Sequence, residues 1–287
     1  MDAALTLAMS SALCFGIALV SGRAGLRTLD ARSGAAVSIP TAAVLLALAA
    51  PFAFDVEGFT LRAGLLFALV GVFFPALVTI LTFRSNQDLG PTITGAVSGT
   101  APLFAMLAAG WFLGERIPAR AAVACVVIVA GVAVLSWKQG AVRPGFTAWS
   151  LRWPIAGAVL RGLAQAAAKA GLLLWPSPFS ASLIGYAVSS LAVVAANRVG
   201  PSARRRKPGR GVAWFAVTGV LNGAAVLLMY GALERAPVSF VAPVVATYPL
   251  ITALVSAGAL REEPVTRRMV AGATMTVLAV ACLVAYR

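Results

Sequence analysis

In the stretch LRGLAQAAAKAG, residues 160–171, Arg161, Gln165 and Lys169 recur at every fourth position of an otherwise apolar run. Steps of four keep three side chains on one stripe of a helix. Two cations with an amide between them are suited to anion recognition. The planar, permanently charged arginine fork matches a carboxylate or a phosphate through two parallel hydrogen bonds, and the amide can both donate and accept. An arginine at the centre of a bilayer helix costs about 2.5 to 3.5 kcal/mol on insertion scales, so its head group must face protein or a water-filled cavity. No Asp or Glu stands at mid-depth in any apolar run to pair with it. The compensating group is then an anionic ligand, water, or backbone carbonyls of a broken helix. Lys169 has a second option, since its long stem can snorkel to the interface.

Other residues of comparable depth could complete a site: Ser10, Ser11, Thr100, Asn222, Thr247 and Tyr248, with Phe15, Phe74 and Tyr230 nearby. Serine and threonine in membrane helices commonly bond their own backbone or an adjacent helix. Asn222 stands out among the neutral set because an amide is costly in lipid unless partnered. Tyr248 and Pro249 together make a kink with an aromatic wall, and Pro102 and Pro249 read as hinges or packing kinks because each removes a backbone donor. The expected substrate-binding set is Arg161, Gln165, Asn222, Tyr248, Ser11, Phe15, Thr100, Thr247, Lys169 and Tyr230. No catalytic or metal-binding residue and no cofactor is expected. The chain has no histidine, which removes the usual metal ligand, the usual proton shuttle and any Ser/His/Asp set. Cys14, Cys125 and Cys282 are too scattered for a disulfide framework and read as structural thiols.

The elements that position these residues follow from composition. Of 287 residues 60% are hydrophobic and 11% charged, and the mean hydropathy is +0.92, so this reads as an all-α polytopic membrane protein. A barrel would show short alternating segments. Apolar runs between charged or Pro/Gly breaks give ten expected transmembrane helices, at 3–20, 34–54, 63–83, 91–113, 119–137, 153–174, 178–197, 211–233, 237–260 and 269–286. The first run lacks the basic flank of a signal peptide and is expected to stay as a helix. The net charge of +14 sits in the connections, so topology explains it better than nucleic acid. With both termini on one face, sixteen cations lie on the other, including those of RVGPSARRRKPGR, and five lie with the termini. The positive-inside rule then puts both termini outside and the basic loop in the cytoplasm of a bacterial inner membrane.

The chain repeats. GTAPLFAMLAAGWFLGE at 99–115 is echoed by ATYPLITALVSAGALRE at 246–262, which matches Thr100 to Thr247, Pro102 to Pro249 and Glu115 to Glu262. GRAGL at 22–26 is echoed by AKAGL at 168–172. Two halves, 1–137 and 153–287 around a linker at 138–152, each hold five helices. Because five is odd, the second copy enters the membrane upside down, which gives two inverted five-helix repeats. Glu115 and Glu262 read as interfacial charges.

The five-plus-five pattern, the helix with its central TAPL followed by GWFLGERIPARAAVACVVIVAGVAVL, and the second copy TYPLITALVSAGALREEPVTRRMVAGATMTVLAVACLV together resemble the drug/metabolite transporter superfamily in its EamA-like ten-helix form. The resemblance covers nearly the whole chain. It implies movement of small metabolites through a central cavity lined mainly by helices 1, 3, 4, 6, 8 and 9, with helices 5 and 10 peripheral. The first helix departs from the four-helix multidrug members: Ser10, Ser11, Cys14 and Phe15 stand where those carry a proton-exchanging carboxylate. The expected function is therefore an exporter, exchanger or facilitator of a small polar or anionic metabolite such as an amino acid or organic anion. A lipid-linked phosphate flippase and a non-transporting assembly or regulatory protein are the alternatives. Expected partners are that small molecule and membrane lipid, with no nucleic acid; a homodimer is left open.

Overall fold

The computed structural model of the chain describes residues 3–136, 148–199, 209–259 and 267–285. Most of the expected linker, the basic residues 204–207, and Arg261 and Glu262 lie outside the described residues. The described elements are all helical. In chain order they are α1 (Ala3–Gly25), α2 (Ala31–Ala53), α3 (Leu61–Gly71), a π-helical turn (Val72–Leu77), α4 (Val78–Ser98), α5 (Ala101–Leu113) and α6 (Ala119–Ser136). A short 3-10 turn (Ala148–Leu151) leads into α7 (Arg152–Leu174), α8 (Pro178–Val199), α9 (Arg210–Arg235), α10 (Val238–Val245), α11 (Tyr248–Ala259) and α12 (Arg267–Ala285). Polar caps start two of them: the Asp30 side chain accepts from the amides of Arg32 and Ser33, each at 2.9 Å, and Thr60 accepts from Ala63 at 3.3 Å.

Six described stretches are long and apolar enough to cross a membrane, and three further helices, Ala101–Leu113, Ala119–Val134 and Val270–Ala285, are apolar but shorter. At 23 residues α7 is about 35 Å long, enough to span, although Arg161, Gln165 and Lys169 interrupt its apolar surface. The run Val78–Ser98 is not straight. Ser85 Oγ lies 2.6 Å from Thr94 Oγ1, whereas nine residues of straight helix would separate them by about 13.5 Å along the axis. The chain therefore folds back between these two residues.

Three of the expected helices are broken. The run expected at 63–83 opens at Phe74, whose backbone is extended (φ −134°, ψ 122°) ahead of Pro75. A proline has no amide to donate and pushes the preceding residue out of the helical region. The runs expected at 91–113 and 237–260 break two residues before Pro102 and Pro249, and the two breaks are built alike. Thr100 Oγ1 donates to the Val97 carbonyl at 2.7 Å and Thr247 Oγ1 to the Val244 carbonyl at 2.8 Å. Both threonine amides return to the same carbonyls at 3.1 Å.

Helix approach is duplicated as well. A Cβ added at Gly162 in α7 would lie 2.7 Å from the Ala105 nitrogen and 2.8 Å from the Ala101 carbonyl oxygen in α5. One added at Gly16 in α1 would lie 2.7 Å from Ile251 Cβ and 3.0 Å from the Tyr248 carbonyl oxygen in α11. The repeat that pairs Arg23 with Lys169 also pairs Gly16 with Gly162, and Ala101 pairs with Tyr248. The first helix of each half thus packs closely on the broken helix of the other. Away from this centre α6 and α12 pack on each other, with a small cluster of their own around Ile128, Val132 and Ala279.

Candidate functional site

Where α1, α7, α9, α10 and the three helix breaks converge, the structure holds a small cavity, with room for about one water molecule, whose lining includes Phe15, Phe74, Arg161, Gln165, Met229 and Tyr248. Each aromatic ring arrives by a different route. Phe15 is carried by the unbroken α1. Phe74 leaves the helix through its own extended backbone ahead of Pro75, and Tyr248 opens α11 just after the second duplicated break.

The three rings surround one guanidinium. Arg161 Cζ is 5.7 Å from the Phe15 ring centroid, 5.9 Å from that of Phe74 and 5.5 Å from that of Tyr248, each within the range over which a cation is attracted to a ring face. Phe15 and Tyr248 also meet each other, tilted, at 6.2 Å. Among the described residues Arg161 has no carboxylate and no hydrogen-bond acceptor as a partner. One turn further along α7, Gln165 is 5% exposed, and its Oε1 has no hydrogen-bond partner among the described residues. A fork of five N–H donors and a carboxamide thus border one small space without partners of their own.

The other expected residues are placed differently. Ser11 donates to the Ala225 carbonyl at 2.7 Å and joins α1 to α9. The Thr100 and Thr247 hydroxyls stay on their own backbone at the breaks, next to lining residues Ala101 and Ala246. Lys169 Nζ donates to the carbonyls of Leu233 at 2.6 Å and Ala236 at 3.2 Å, where α9 ends. Tyr230 is buried in the core, and half-buried Asn222 is not among the lining residues. Sequence reasoning missed Met229, which as an apolar residue in an apolar run gives no signal. It also missed Tyr186, a fully buried side chain of α8 whose hydroxyl has no partner among the described residues. Phe74 carried a readable signal, the FFP triplet inside a spanning run.

Membrane-length helices, some broken at mid-length around an internal cavity bordered by Arg161, define a polytopic membrane protein. The profile of the EamA-like transporter family matches residues 2–137 and again residues 148–285, and the chain belongs to that family, whose members are membrane transporters. It also superposes on a crystal structure of another protein with a TM-score of 0.80 over 99% of this chain and 96% of that one. At 15% identity that likeness speaks for the fold alone. Altogether 29 chains of solved structures match. No curated protein matches the sequence.

Proposed function

We propose that the protein is a secondary transporter of a small polar or anionic metabolite, an amino acid or an organic anion, which passes through the Arg161 chamber by alternating access. The observation that carries this reading is the unpartnered guanidinium held between three rings. The rings keep it away from lipid while leaving its N–H edges for an oxyanion, and Gln165 offers a neutral polar contact one turn away. No carboxylate among the described residues reaches Arg161, so facilitated diffusion or exchange suits the site better than proton antiport.

The same reading takes the chain as ten spans in two inverted five-helix repeats, 1–137 and 153–287 around a linker, in a bacterial inner membrane with both termini outside. Two family matches in tandem, the duplicated threonine breaks and the reversal between Ser85 and Thr94 support the count. The charge asymmetry of the connections supports the orientation. Alternating access then amounts to one half rocking against the other about the chamber, with the breaks before Pro102 and Pro249 as hinges. The test is counterflow in proteoliposomes loaded with a mixed amino-acid and organic-anion pool, wild type against Arg161→Ala. Solute movement that falls with Arg161→Ala supports the reading. No movement by either folded protein refutes transport, and equal flux removes Arg161 from the site.

A further inference from the structure

On the side of the chamber where α5 and α9 end, four elements that line it are tied to one short turn. Gly114 takes the left-handed conformation (φ 64°) at the end of α5, and the Glu115 amide folds back to the Ala109 carbonyl at 3.2 Å. This aims the Glu115 side chain across to the other half. Its carboxylate accepts from the amides of Val238, at 3.0 Å to Oε1, and Ser239, at 3.3 Å to Oε2, the first two residues of α10. Both residues are buried, so without Glu115 these amides would face neither water nor another acceptor. From α7, Lys169 Nζ holds the carbonyls of Leu233 and Ala236, the C-terminal end of α9, and lies within electrostatic reach of Glu115 and Glu234. A carboxylate on a helix N-terminus and an ammonium on a helix C-terminus each also match the local backbone dipole.

The connection from α9 to α10 is thus gripped from both ends by charges carried on α5 and α7. The grip is close to the chamber. Lys169 stands one turn beyond Gln165, Leu233 one turn beyond Met229, and Val238 one turn before Ala242, all three of which line it. We propose that Glu115 and Lys169 form a latch that closes the chamber toward this face, and that the chamber opens there only when the latch releases the α9–α10 turn. The inference rests on the reading of the chamber as a transport path, but access can be measured without any substrate, so the two fail separately.

The test places one cysteine at Ala101, which lines the chamber, in a chain whose Cys14, Cys125 and Cys282 are replaced by alanine. A membrane-impermeant maleimide is applied to one face at a time in vesicles of each orientation. With the latch intact, labelling from the latch face is slow. Glu115→Ala and Lys169→Met each speed labelling from that face about tenfold or more, the change expected from losing a hydrogen bond to a charged group, and leave labelling from the opposite face unchanged or slower. Glu115→Gln, which keeps one acceptor oxygen, falls between. If Glu115→Ala does not fold, Glu115→Gln and Lys169→Met carry the comparison. Ser11→Ala, which removes a buried interhelix bond elsewhere, leaves the rate alone. Unchanged labelling from the latch face in the folded variants overturns the proposal, and so does an equal rise from both faces or an equal rise with Ser11→Ala.

Discussion

Replacing Arg161 with methionine keeps an unbranched chain and removes the charge. For the fold the terms nearly cancel. The guanidinium gives up three ring contacts, each worth about 0.5 to 1 kcal/mol, or about 1.5 to 3 in all. Relief from holding a cation at mid-bilayer depth returns about 2.5 to 3.5 kcal/mol. The melting temperature of purified Arg161→Met should therefore stay within about 5 °C of wild type. For an anionic solute nothing cancels. A hydrogen-bonded contact to a charged group is worth about 1.5 to 3 kcal/mol, so the half-saturation concentration for counterflow of a carboxylate solute should rise about ten- to a hundredfold. Arg161→Lys keeps the charge but loses the fork, and should fall between the two. The reasoning is refuted if folded Arg161→Met moves the anion with its affinity intact. It is equally refuted if the protein loses far more stability than the balance above allows, because Arg161 would then be a structural tie with no ligand to meet.

Three smaller perturbations separate chamber from scaffold. Gly162→Val puts a Cβ 2.7 Å from the α5 backbone and should lower the yield of folded protein through overpacking worth about 1 to 3 kcal/mol, read by size-exclusion monodispersity and melting temperature. Ser11→Ala removes the bond to Ala225 and should cost about 0.6 kcal/mol, the mean for interhelical bonds in membranes, while half-saturation for any transported solute stays at the wild-type value. Tyr248→Phe keeps the ring that faces Arg161 and should leave anion affinity within about threefold, whereas Tyr248→Ala removes a contact worth about 0.5 to 2 kcal/mol and should weaken it further in the same counterflow assay.

What the sequence could reveal depended on whether a residue's surroundings were local. Arg161 and Gln165 were readable because polar residues four apart in an apolar run must share a face, and a charge at that depth needs a chamber. Phe15 and Tyr248 were reached from their comparable depth in other runs. For Lys169 the sequence offered the interface as a second option but could not name the acceptors that hold it. What separates it from Arg161 is the end of α9, whose free carbonyls come from 64 and 67 residues away in the chain and take up the lysine. Ser11 likewise finds its acceptor 214 residues away. Asn222, singled out for its amide and its expected depth, lies on the same stripe of α9 as Met229 but seven residues and about 10 Å earlier, because depth depends on the tilt and crossing point of packed helices. The breaks before Pro102 and Pro249 followed from proline, yet not the turns that Thr100 and Thr247 close there, nor the extended break at Phe74.

The repeat explains why the chamber lies where it does. In the register that pairs Gly16 with Gly162 and Arg23 with Lys169, the counterpart of Arg161 is Phe15. In the register of the later repeat, which pairs Thr100 with Thr247, the counterpart of Tyr248 is Ala101 and that of Val245 is Ser98, and both members of all three pairs line the cavity. A space bordered by equivalent residues of two copies sits on the axis that relates them, where a residue faces its own counterpart. Identical chemistry is costly there. Two guanidinium groups at the 5.7 Å that separates Arg161 Cζ from the Phe15 ring would repel by about 3 kcal/mol at an effective dielectric of 20. A phenylalanine in one copy turns that repulsion into attraction to a ring face. The scaffold has the opposite requirement. If each half must bend in the same way for the chamber to open alternately to the two faces, the glycine contacts and threonine breaks have to stay duplicated, as Gly16 with Gly162 and Thr100 with Thr247 are. On the proposed alternating-access reading, duplication at the breaks together with divergence at the cavity is what symmetric rocking around an asymmetric ligand would require.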